Sequence, residues 1–367
     1  MKAIVVGAGV VGSAVAFRLA QAGAQVMLIE AGRVGGGTSG ISYAWVNANN
    51  KPPRSYHDLN VAGMKAHAGL REEFGEAPWY HQTGGIEWAA TEEDGAALKA
   101  RAERLGSWGY AIDFISRKEL SELEPDLDLG QFRDPTVAFC PEEGWIDPVV
   151  YADAMVKRAI KSGATLMTGT KVVDIVVRNG AARGVKTADG AAHEADVVVN
   201  CAGRWADTVG QDTQLRIPLA PTTGFLAFTP PVATSVARPI RGATVQFRPD
   251  GAGRLMVRAG DLDRQVTLDT VASPTLPAAI EAMARIARLI PALAGVAPEA
   301  ARITARPIPE DGLPAVGPVP RVANYFLVVT HSGVTLSPYL AKAAADEIVH
   351  GTIHPELNDF RPSRFFN

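Results

Sequence analysis

The chain has 367 residues, of which 47% are hydrophobic and 20% are charged, and its formal net charge is −3. This ordinary globular mixture excludes a disordered, collagen-like or disulfide-stapled protein, and the near balance of charge offers no basic surface for nucleic acid. Because the length exceeds that at which one hydrophobic core keeps growing, we expect two domains.

The apolar N-terminus does not have the features of a membrane span or a signal peptide. Arg18 interrupts it, and no small-residue cleavage site follows. We therefore expect a cytoplasmic protein. Cys140 and Cys201 lie far apart without C-x-x-C spacing, which predicts two buried thiols rather than a disulfide, and we expect no metal site.

The first elements form a βαβ unit. A strand is predicted over Lys2–Val6, a helix over 9–22 and a second strand over Gln25–Ile29. The glycine-rich run 35–40 excludes regular structure and predicts a loop whose backbone can approach a ligand closely. A helix over 60–74 follows.

The rest of the chain mixes insertions with further elements of this unit. In order, we predict a helix over 91–105, a helix over 148–161, alternating strands over 165–177 and Ala181–Thr187, a buried parallel strand over 196–201, Pro-punctuated strands over 217–268, a helix over 276–290, a buried strand over Tyr325–Val329 and a closing helix over Gly333–His350.

Gly7, Gly9 and Gly12 fit the G-x-G-x-x-G pattern between the first strand and helix. The first glycine permits a tight turn, the second lets the backbone meet a pyrophosphate, and the third allows close helix packing. Glu30 follows Gly12 by 18 residues, where a carboxylate binds ribose hydroxyls and disfavours a 2′-phosphate. The pattern alone leaves NAD, FAD and a turn that binds nothing as alternatives.

Further motifs occur downstream in a fixed order. They are Thr38-Ser39-Gly40, the segment 199–206, the run from Arg306-Pro307 to Asp311-Gly312-Leu313-Pro314, the segment 331–338 and the closing 360–365. This series resembles the D-amino-acid oxidase superfamily, which includes glycine oxidase, sarcosine oxidase and D-amino-acid dehydrogenase.

The resemblance implies an α/β plus α+β protein. It has a Rossmann-like FAD-binding domain assembled from discontinuous segments, and a substrate domain built on a large antiparallel sheet over the flavin. We assign residues 1–84, 140–215 and 301–367 to the FAD-binding domain, and residues 85–139 and 216–300 to the substrate domain.

The resemblance also implies which residues contact FAD. Val173 would reach the adenine through its backbone, although an ordinary strand residue is nearly as good an interpretation. The helix opening at Gly333 would face the flavin, where free N–H groups stabilise the negative charge of the reduced ring. The predicted cofactor contacts are Gly7, Gly9, Val10, Val11, Gly12, Glu30, Ala31, Thr38, Ser39, Val173, Ala202, Gly203, Trp205, Gly333, Val334, Thr335 and Leu336.

The activity implied is oxidation of a small amino acid or secondary amine to an imine by hydride transfer to flavin N5. Arg306 matches the arginine that holds the substrate carboxylate in glycine-oxidase-like members, and a structural salt bridge is its alternative role. His331 is either a flavin-side residue or an ordinary packed histidine. Weaker pocket candidates are Tyr43, Trp45, Asn47, Arg241 and Arg258.

Two family features are missing. Sarcosine-oxidase-type members carry an oxygen-activating lysine on the substrate sheet, whereas no lysine lies between Lys186 and Lys342. Residues 302–317 contain no Cys and residues 38–48 no His, the types that attach flavin covalently in some relatives, so we predict noncovalent FAD. Oxygen, a quinone or a protein would accept the electrons, and a homo-oligomer is compatible with the sequence.

Two alternatives to this enzyme remain. An NAD-dependent dehydrogenase would share only the first βαβ unit. A noncatalytic or electron-transfer flavin subunit of a larger amine-oxidising complex would bind FAD without being reduced by amines.

Overall fold

A computed structural model of the chain describes residues 1–131, 136–209 and 216–366. Its helices are α1 (Val10–Gln21), α2 (Arg54–Phe74), α3 (Glu92–Ser107), α4 (Arg117–Leu123), α5 (Pro148–Lys161), α6 (Pro277–Leu289) and α7 (Gly333–His350). Its strands are β1 (Lys2–Val6), β2 (Gln25–Ile29), β3 (Trp45–Val46), β4 (Tyr80–His81), β5 (Gly85–Ala89), β6 (Asp113–Phe114), β7 (Thr136–Cys140), β8 (Gly144–Ile146), β9 (Thr165–Met167), β10 (Val172–Arg178), β11 (Ala181–Thr187), β12 (Ala192–Glu194), β13 (Val197–Asn200), β14 (Thr223–Phe228), β15 (Ile240–Arg241), β16 (Gln246–Pro249), β17 (Leu255–Arg258), β18 (Ala300–Ala305), β19 (Ala315–Pro318) and β20 (Tyr325–Val329).

A six-stranded sheet carries the N-terminal βαβ unit. Its strand order is β19-β20-β13-β1-β2-β9, and every pair is parallel except β19 with β20. Helices α1, α5 and α7 pack together against one face, and the sheet β10-β11-β12 covers the other. Burial on both faces explains why β1, β13 and β20 are continuous apolar runs.

An eight-stranded sheet forms a second hydrophobic core. Its order is β18-β14-β17-β16-β15-β5-β7-β6, all antiparallel except for the pair β15 and β5. Helix α6 packs against this sheet through Ala279, Ala282 and Ile286, which are fully buried. The strands come from residues 85–140 and 223–305. The expected fold class is therefore confirmed, and the division into two domains at the boundaries above remains our interpretation.

Several helix boundaries match the predictions because their capping residues are local signals. Thr91 accepts a hydrogen bond from the Asp94 N–H at the start of α3, and Asp147 accepts hydrogen bonds from Val149 and Val150 before α5. Helix α7 spans the predicted range and ends at Gly351, which has a φ of 69°.

Three predictions about local structure were wrong. The helix predicted over 60–74 begins at Arg54, directly after two prolines. The strand predicted over 165–177 is two strands in different sheets, because Gly169 turns the chain with a φ of 65°. The glycine-rich loop includes one regular turn, a 3₁₀ helix over Thr38–Ile41.

Cys140 and Cys201 are buried free thiols, as predicted. Within the described residues, no helix is long and apolar enough to cross a bilayer. No group of three or more His, Cys, Asp or Glu side chains in that same part of the chain is arranged to hold a metal ion.

Candidate active site

The glycine turn after β1 is packed too tightly for any side chain. Gly7 has a φ of 95°, and a β-carbon added to it would lie 2.8 Å from the Cys201 carbonyl oxygen. A β-carbon on Gly12 would lie 1.9 Å from the Gly7 carbonyl oxygen. These contacts hold the N-terminus of α1 against the end of β13.

Glu30 connects this turn to the end of β2. One carboxylate oxygen accepts a hydrogen bond from the Ala8 N–H and the other accepts one from the Gly32 N–H, both at 2.8 Å. Each oxygen keeps a free lone pair. The carboxylate is thus fixed by backbone groups while still able to accept hydrogen bonds from ribose hydroxyls.

A first cavity of about 580 Å³ runs along the turn, within the range of about 300–1,000 Å³ usual for ligand sites. The predicted cofactor residues that line it are Gly7, Gly9, Val10, Val11, Glu30, Ala31, Thr38, Ser39, Ala202, Gly203, Trp205, Gly333 and Val334. Thr170, Lys171 and Val172 extend its wall beside Glu30, and Arg33, Gly36 and Gly37 line it opposite Trp205. Arg33, Thr170, Lys171 and Val172 were not predicted, whereas Gly36 and Gly37 belong to the glycine-rich run that was expected to approach a ligand.

Four predicted cofactor contacts lie outside this lining. Gly12 lies beneath the turn, and Val173 on β10 is 36% exposed beside the lining residue Val172. Thr335 borders a second cavity. Leu336 is fully buried and donates its N–H to the Ser332 carbonyl, which is the first hydrogen bond inside α7.

The second cavity, of about 390 Å³, lies between the eight-stranded sheet and the start of α7, and the predicted substrate residues line it. Its lining includes Tyr43, Trp45, Asn47, Arg241, Arg258, Arg306 and His331. It shares Thr38, Ser42, Pro307, His331 and Val334 with the first cavity. The two cavities therefore meet at the start of α7.

A row of cross-strand partners on the eight-stranded sheet forms one wall of the second cavity. Arg258 pairs with Gln246, Gln246 with Arg241, and Arg241 with Glu87. Directly paired residues project from the same face of a sheet. Arg258, Gln246 and Arg241 thus point to the same space.

Asp263 holds two of the arginines in place. Its carboxylate pairs with the guanidinium groups of Arg306 and Arg258, the latter at 3.1 Å, and accepts a hydrogen bond from the Phe225 N–H at 2.8 Å. Asp263 is only 8% exposed. The side chain of Arg306 is still 23% exposed, so it forms a structural ion pair and also faces the cavity.

The absence of a side chain at Gly224 creates the space in which Arg306 lies. A β-carbon there would lie 2.9 Å from Arg306 Nε and 3.2 Å from Nη2. Neither Gly224 nor Asp263 was predicted from the sequence, because their relation to Arg306 depends on strand pairing.

His331 borders both cavities and is neutral near pH 7. Its side chain is exposed to the two cavities, and its pKa is lowered to about 3 by partial desolvation and by Lys51, Arg306 and Arg258, which repel the charged form. A neutral imidazole can accept or donate one hydrogen bond at the junction.

Lys51 is a pocket residue that the sequence interpretation missed. It lines the second cavity from the loop before α2, and its ammonium lies 5.9 Å from the centre of the Tyr56 ring. Burial, together with Arg241, lowers its pKa to about 8. Its position four residues after Asn47, a predicted pocket residue, was the signal available in the sequence.

The fold and the two cavities define a dinucleotide-dependent oxidoreductase, with a nucleotide cleft that opens onto a second chamber lined by basic side chains. The chain matches the family model of FAD dependent oxidoreductases, named DAO, over residues 2–347 and therefore belongs to this family. FAD is thus the cofactor, and the NAD alternative is excluded.

Comparison with individual proteins gives relatives of the same length. Glycine oxidase from Geobacillus kaustophilus is 27% identical over 93% of this chain and 91% of that protein. Its crystal structure superimposes with a TM-score of 0.85 over 99% of this chain and 98% of that one, at 24% identity. L-proline dehydrogenase from P. horikoshii has a TM-score of 0.86 over 100% of this chain and 97% of its own, at 22% identity.

One relative is much longer. The mitochondrial pyruvate dehydrogenase phosphatase regulatory subunit of Mus musculus is 28% identical over 70% of this chain, and that match covers 29% of the mouse protein.

The residues of the first cavity fit FAD. Gly9, Gly37 and Gly203 leave room where side chains would fill the cleft, and Glu30 suits an unphosphorylated ribose. The first N–H groups of α7 lie where the cavities meet, which is a favourable position for negative charge.

Proposed function

We propose that this protein oxidises a small amino acid or secondary amine to an imine, with bound FAD accepting a hydride at N5. The observation that carries this proposal is the position of Arg306, which faces a chamber joined to the nucleotide cavity at His331 and Val334. An arginine fork binds a carboxylate through two parallel hydrogen bonds and so fixes the α-carbon of the substrate.

The chain's main contribution to this reaction is positioning and electrostatics. The α C–H bond breaks with its electron pair, a C=N bond forms, the N–H proton goes to water, and the imine is then hydrolysed. The reacting amine must be unprotonated. Lys51, Arg241, Arg258 and Arg306 all disfavour a substrate ammonium in the chamber, and neutral His331 adds no further charge.

We further propose that FAD is held noncovalently. The two cysteines are buried, and the pKa of the Cys201 thiol in the first cavity is raised well above its ordinary value by burial, which keeps it protonated and unreactive. Acid precipitation should release all the flavin into solution. Flavin that stays with the precipitated protein would contradict this proposal.

Anaerobic reduction is the direct test of the activity. The purified protein should be yellow, and its 450 nm flavin absorbance should bleach when glycine, sarcosine, proline or another amino acid is added without oxygen. Repeating the experiment in air, with a quinone or with a protein acceptor identifies which of them reoxidises the flavin. A protein that binds FAD but is not bleached by any amine would overturn the proposed activity.

A noncatalytic flavin subunit is the second candidate, because a regulatory subunit is among the relatives. Such a subunit would stay oxidised with every amine and would copurify with a partner chain. The mass of the protein purified from its native source shows whether a partner chain copurifies, which separates this candidate from the enzyme. The mass of the protein produced by itself gives its oligomeric state, including a homo-oligomer.

A further inference from the structure

The lining of the second cavity is strongly unbalanced in charge. Lys51, Arg241, Arg258 and Arg306 line it, whereas no Asp or Glu of the described residues does. The nearby carboxylates of Asp263 and Glu87 are each shared between two arginines. One substrate carboxylate would leave most of this positive charge without a partner.

The cations form two groups. The first, which we call the Arg306 pair, consists of Arg306 and Arg258, joined by the single carboxylate of Asp263. The second, the Lys51 pair, consists of Lys51 and Arg241. Arg258 and Arg241 lie on β17 and β15 with β16 between them, so their backbones are about 10 Å apart at the usual strand spacing.

Neighbouring carboxylates neutralise the positive charge of the Lys51 pair less completely than that of the Arg306 pair. Glu87 lies 3.6 Å from Arg241 but is also engaged by Arg101 at 2.7 Å and by the side-chain amide of Asn49 at 3.2 Å. Lys51 forms no hydrogen bond or ion pair with any residue in the described ranges.

Glu143 is the other acid near Lys51. It is fully buried and accepts a hydrogen bond from the Tyr110 hydroxyl at 2.5 Å. Burial raises its pKa to about 7, so it carries only part of a charge near neutral pH. A partly buried ammonium without a full counter-charge is unfavourable in the free protein and becomes favourable when an anion enters.

We propose that the preferred substrates are amino acids or secondary amines that carry two carboxylates, one bound by the Arg306 pair and the other by the Lys51 pair. This inference rests on the proposed function, because it assigns a substrate class to the same chamber. A second carboxylate on the side of the substrate nearer β15 would reach Lys51 and Arg241. No acidic side chain of the described residues lines the cavity between the two groups of cations.

Matched substrates test the proposal on the unmodified holoenzyme. Aspartate with asparagine, glutamate with glutamine, and iminodiacetate with sarcosine differ mainly in the second carboxylate, and both enantiomers of the chiral acids should be used. The rate constant for anaerobic flavin reduction, divided by the apparent Kd, should favour the diacid by about tenfold or more. Equal values within each pair overturn the inference while leaving the amine-oxidising activity intact.

A binding experiment gives a readout that does not depend on turnover. Succinate and its monoamide cannot be oxidised as amines, and their binding can be followed by the flavin spectrum or by calorimetry. Succinate should bind about tenfold more tightly than the monoamide. If no amine reduces the flavin but succinate still binds preferentially, the proposed activity fails while the dicarboxylate site remains; equal binding of the two ligands overturns the site.

Variants at Lys51 link the preference to this residue. Lys51→Met should reduce the preference for diacids and for succinate by about tenfold, and Lys51→Arg should retain it. Lys65→Met is the matched control, because Lys65 is exposed on α2 outside both cavities. An unchanged preference in Lys51→Met, with retained FAD, overturns the assignment.

Discussion

At the scale of single residues, Asp263 determines where two cavity arginines lie. It is buried, it is fixed by the Phe225 N–H, and it holds Arg258 and Arg306 from behind. An arginine anchored in this way has already lost much of its rotamer freedom, so its free N–H groups can bind a carboxylate at lower entropic cost. The structural ion pair and the substrate-binding role are therefore compatible.

Replacing Arg306 should separate its binding role from its structural role. Arg306→Lys keeps a charge beside Asp263 but loses the planar fork, so kcat/KM for amino acids should fall by about 10–100-fold, mostly through KM. Activity on an amine that lacks a carboxylate should change little. Arg302→Ala is the control, because Arg302 is exposed on β18, the strand that ends just before Arg306. If Arg306→Lys leaves the kinetics with amino acids unchanged, Arg306 does not bind the substrate carboxylate.

The pH dependence of succinate binding should report the ammonium of Lys51. Burial, together with Arg241 and Arg258, lowers the pKa of Lys51 to about 8 against the opposing effect of Glu143, while neutral His331 adds no charge. The charged form binds the anion, so between pH 7 and pH 10, where both succinate carboxylates are ionised, affinity should fall as the pH rises through about 8. Lys51→Arg should show no such fall up to pH 10. If the affinity of the wild type for succinate does not change over that range, the Lys51 ammonium does not bind the succinate carboxylate.

The residues of the nucleotide cavity were readable from the sequence because they belong to short motifs. Glu30, Gly203 and Gly333 each lie at a fixed distance from a strand end or a helix start. Lys51, Gly224 and Asp263 carry no such local pattern. They come together only through strand register and loop path, which one sequence does not specify.

At the scale of elements, the contact between α2 and α7 positions the end of α7 that lines both cavities. Gly63 of α2 lies against the first turn of α7, and a β-carbon there would lie 2.5 Å from the Thr335 carbonyl oxygen and 3.2 Å from the Leu336 Cα. The hydroxyl of Thr335 donates to the Trp45 carbonyl oxygen at 3.2 Å. The position of the helix end at which the two cavities meet thus depends on one glycine of a neighbouring helix.

Gly63→Ala should displace the start of α7. We expect the free energy of unfolding to fall by about 1–3 kcal/mol, as for other overpacked sites, and the fraction of protein that retains FAD to fall with it. Gly69→Ala on the same helix meets open space and should be neutral or slightly stabilising. Denaturant unfolding and flavin-to-protein absorbance ratios measure both effects. If the two variants have the same free energy of unfolding and retain the same fraction of FAD, the contact between Gly63 and α7 determines neither property.

Element type was predictable wherever a local signal agreed with the periodicity. Helix α7 had glycines at both ends, and β13 was a continuous apolar run. The strand over 165–177 failed because its alternation continued through Gly169, and only the tertiary structure shows that the two halves join different sheets.

At the scale of the whole molecule, Glu143 lies where three parts of the chain meet. It follows β7 of the eight-stranded sheet, precedes β8 of the sheet β3-β8-β4, and accepts a hydrogen bond from Tyr110 beyond α3. The pKa of its buried carboxyl therefore depends on how these three parts of the chain pack together.

Stability should depend on pH through this carboxyl. Burial raises its pKa from 4.5 to about 7, and Glu87 adds to the shift, so the folded protein holds the proton more tightly than the unfolded chain. The stabilisation is complete below about pH 4.5 and is lost as the pH rises through 7. Relative to Glu143→Gln, the wild type should lose at most about 3 kcal/mol of unfolding free energy over that interval.

Glu142→Gln is the matched control for this measurement, because Glu142 is the exposed neighbour in the same turn. Denaturant titrations of the three proteins at pH 4.5, 6 and 8 give the comparison. Parallel pH curves for the wild type and Glu143→Gln would show that Glu143 ionises in the folded protein as it does in the unfolded chain.

The order in which the nucleotide cavity is completed has a consequence for biosynthesis. Its glycine turn is made within the first twelve residues, yet its opposite wall is formed by Val328, Val329 and the start of α7. A nascent chain on the ribosome therefore exposes the apolar ends of β1 and β13 until β20 emerges. Cofactor uptake should follow emergence of β20 and the start of α7, and a message truncated before residue 328 should yield a polypeptide that turns over rapidly and contains no flavin.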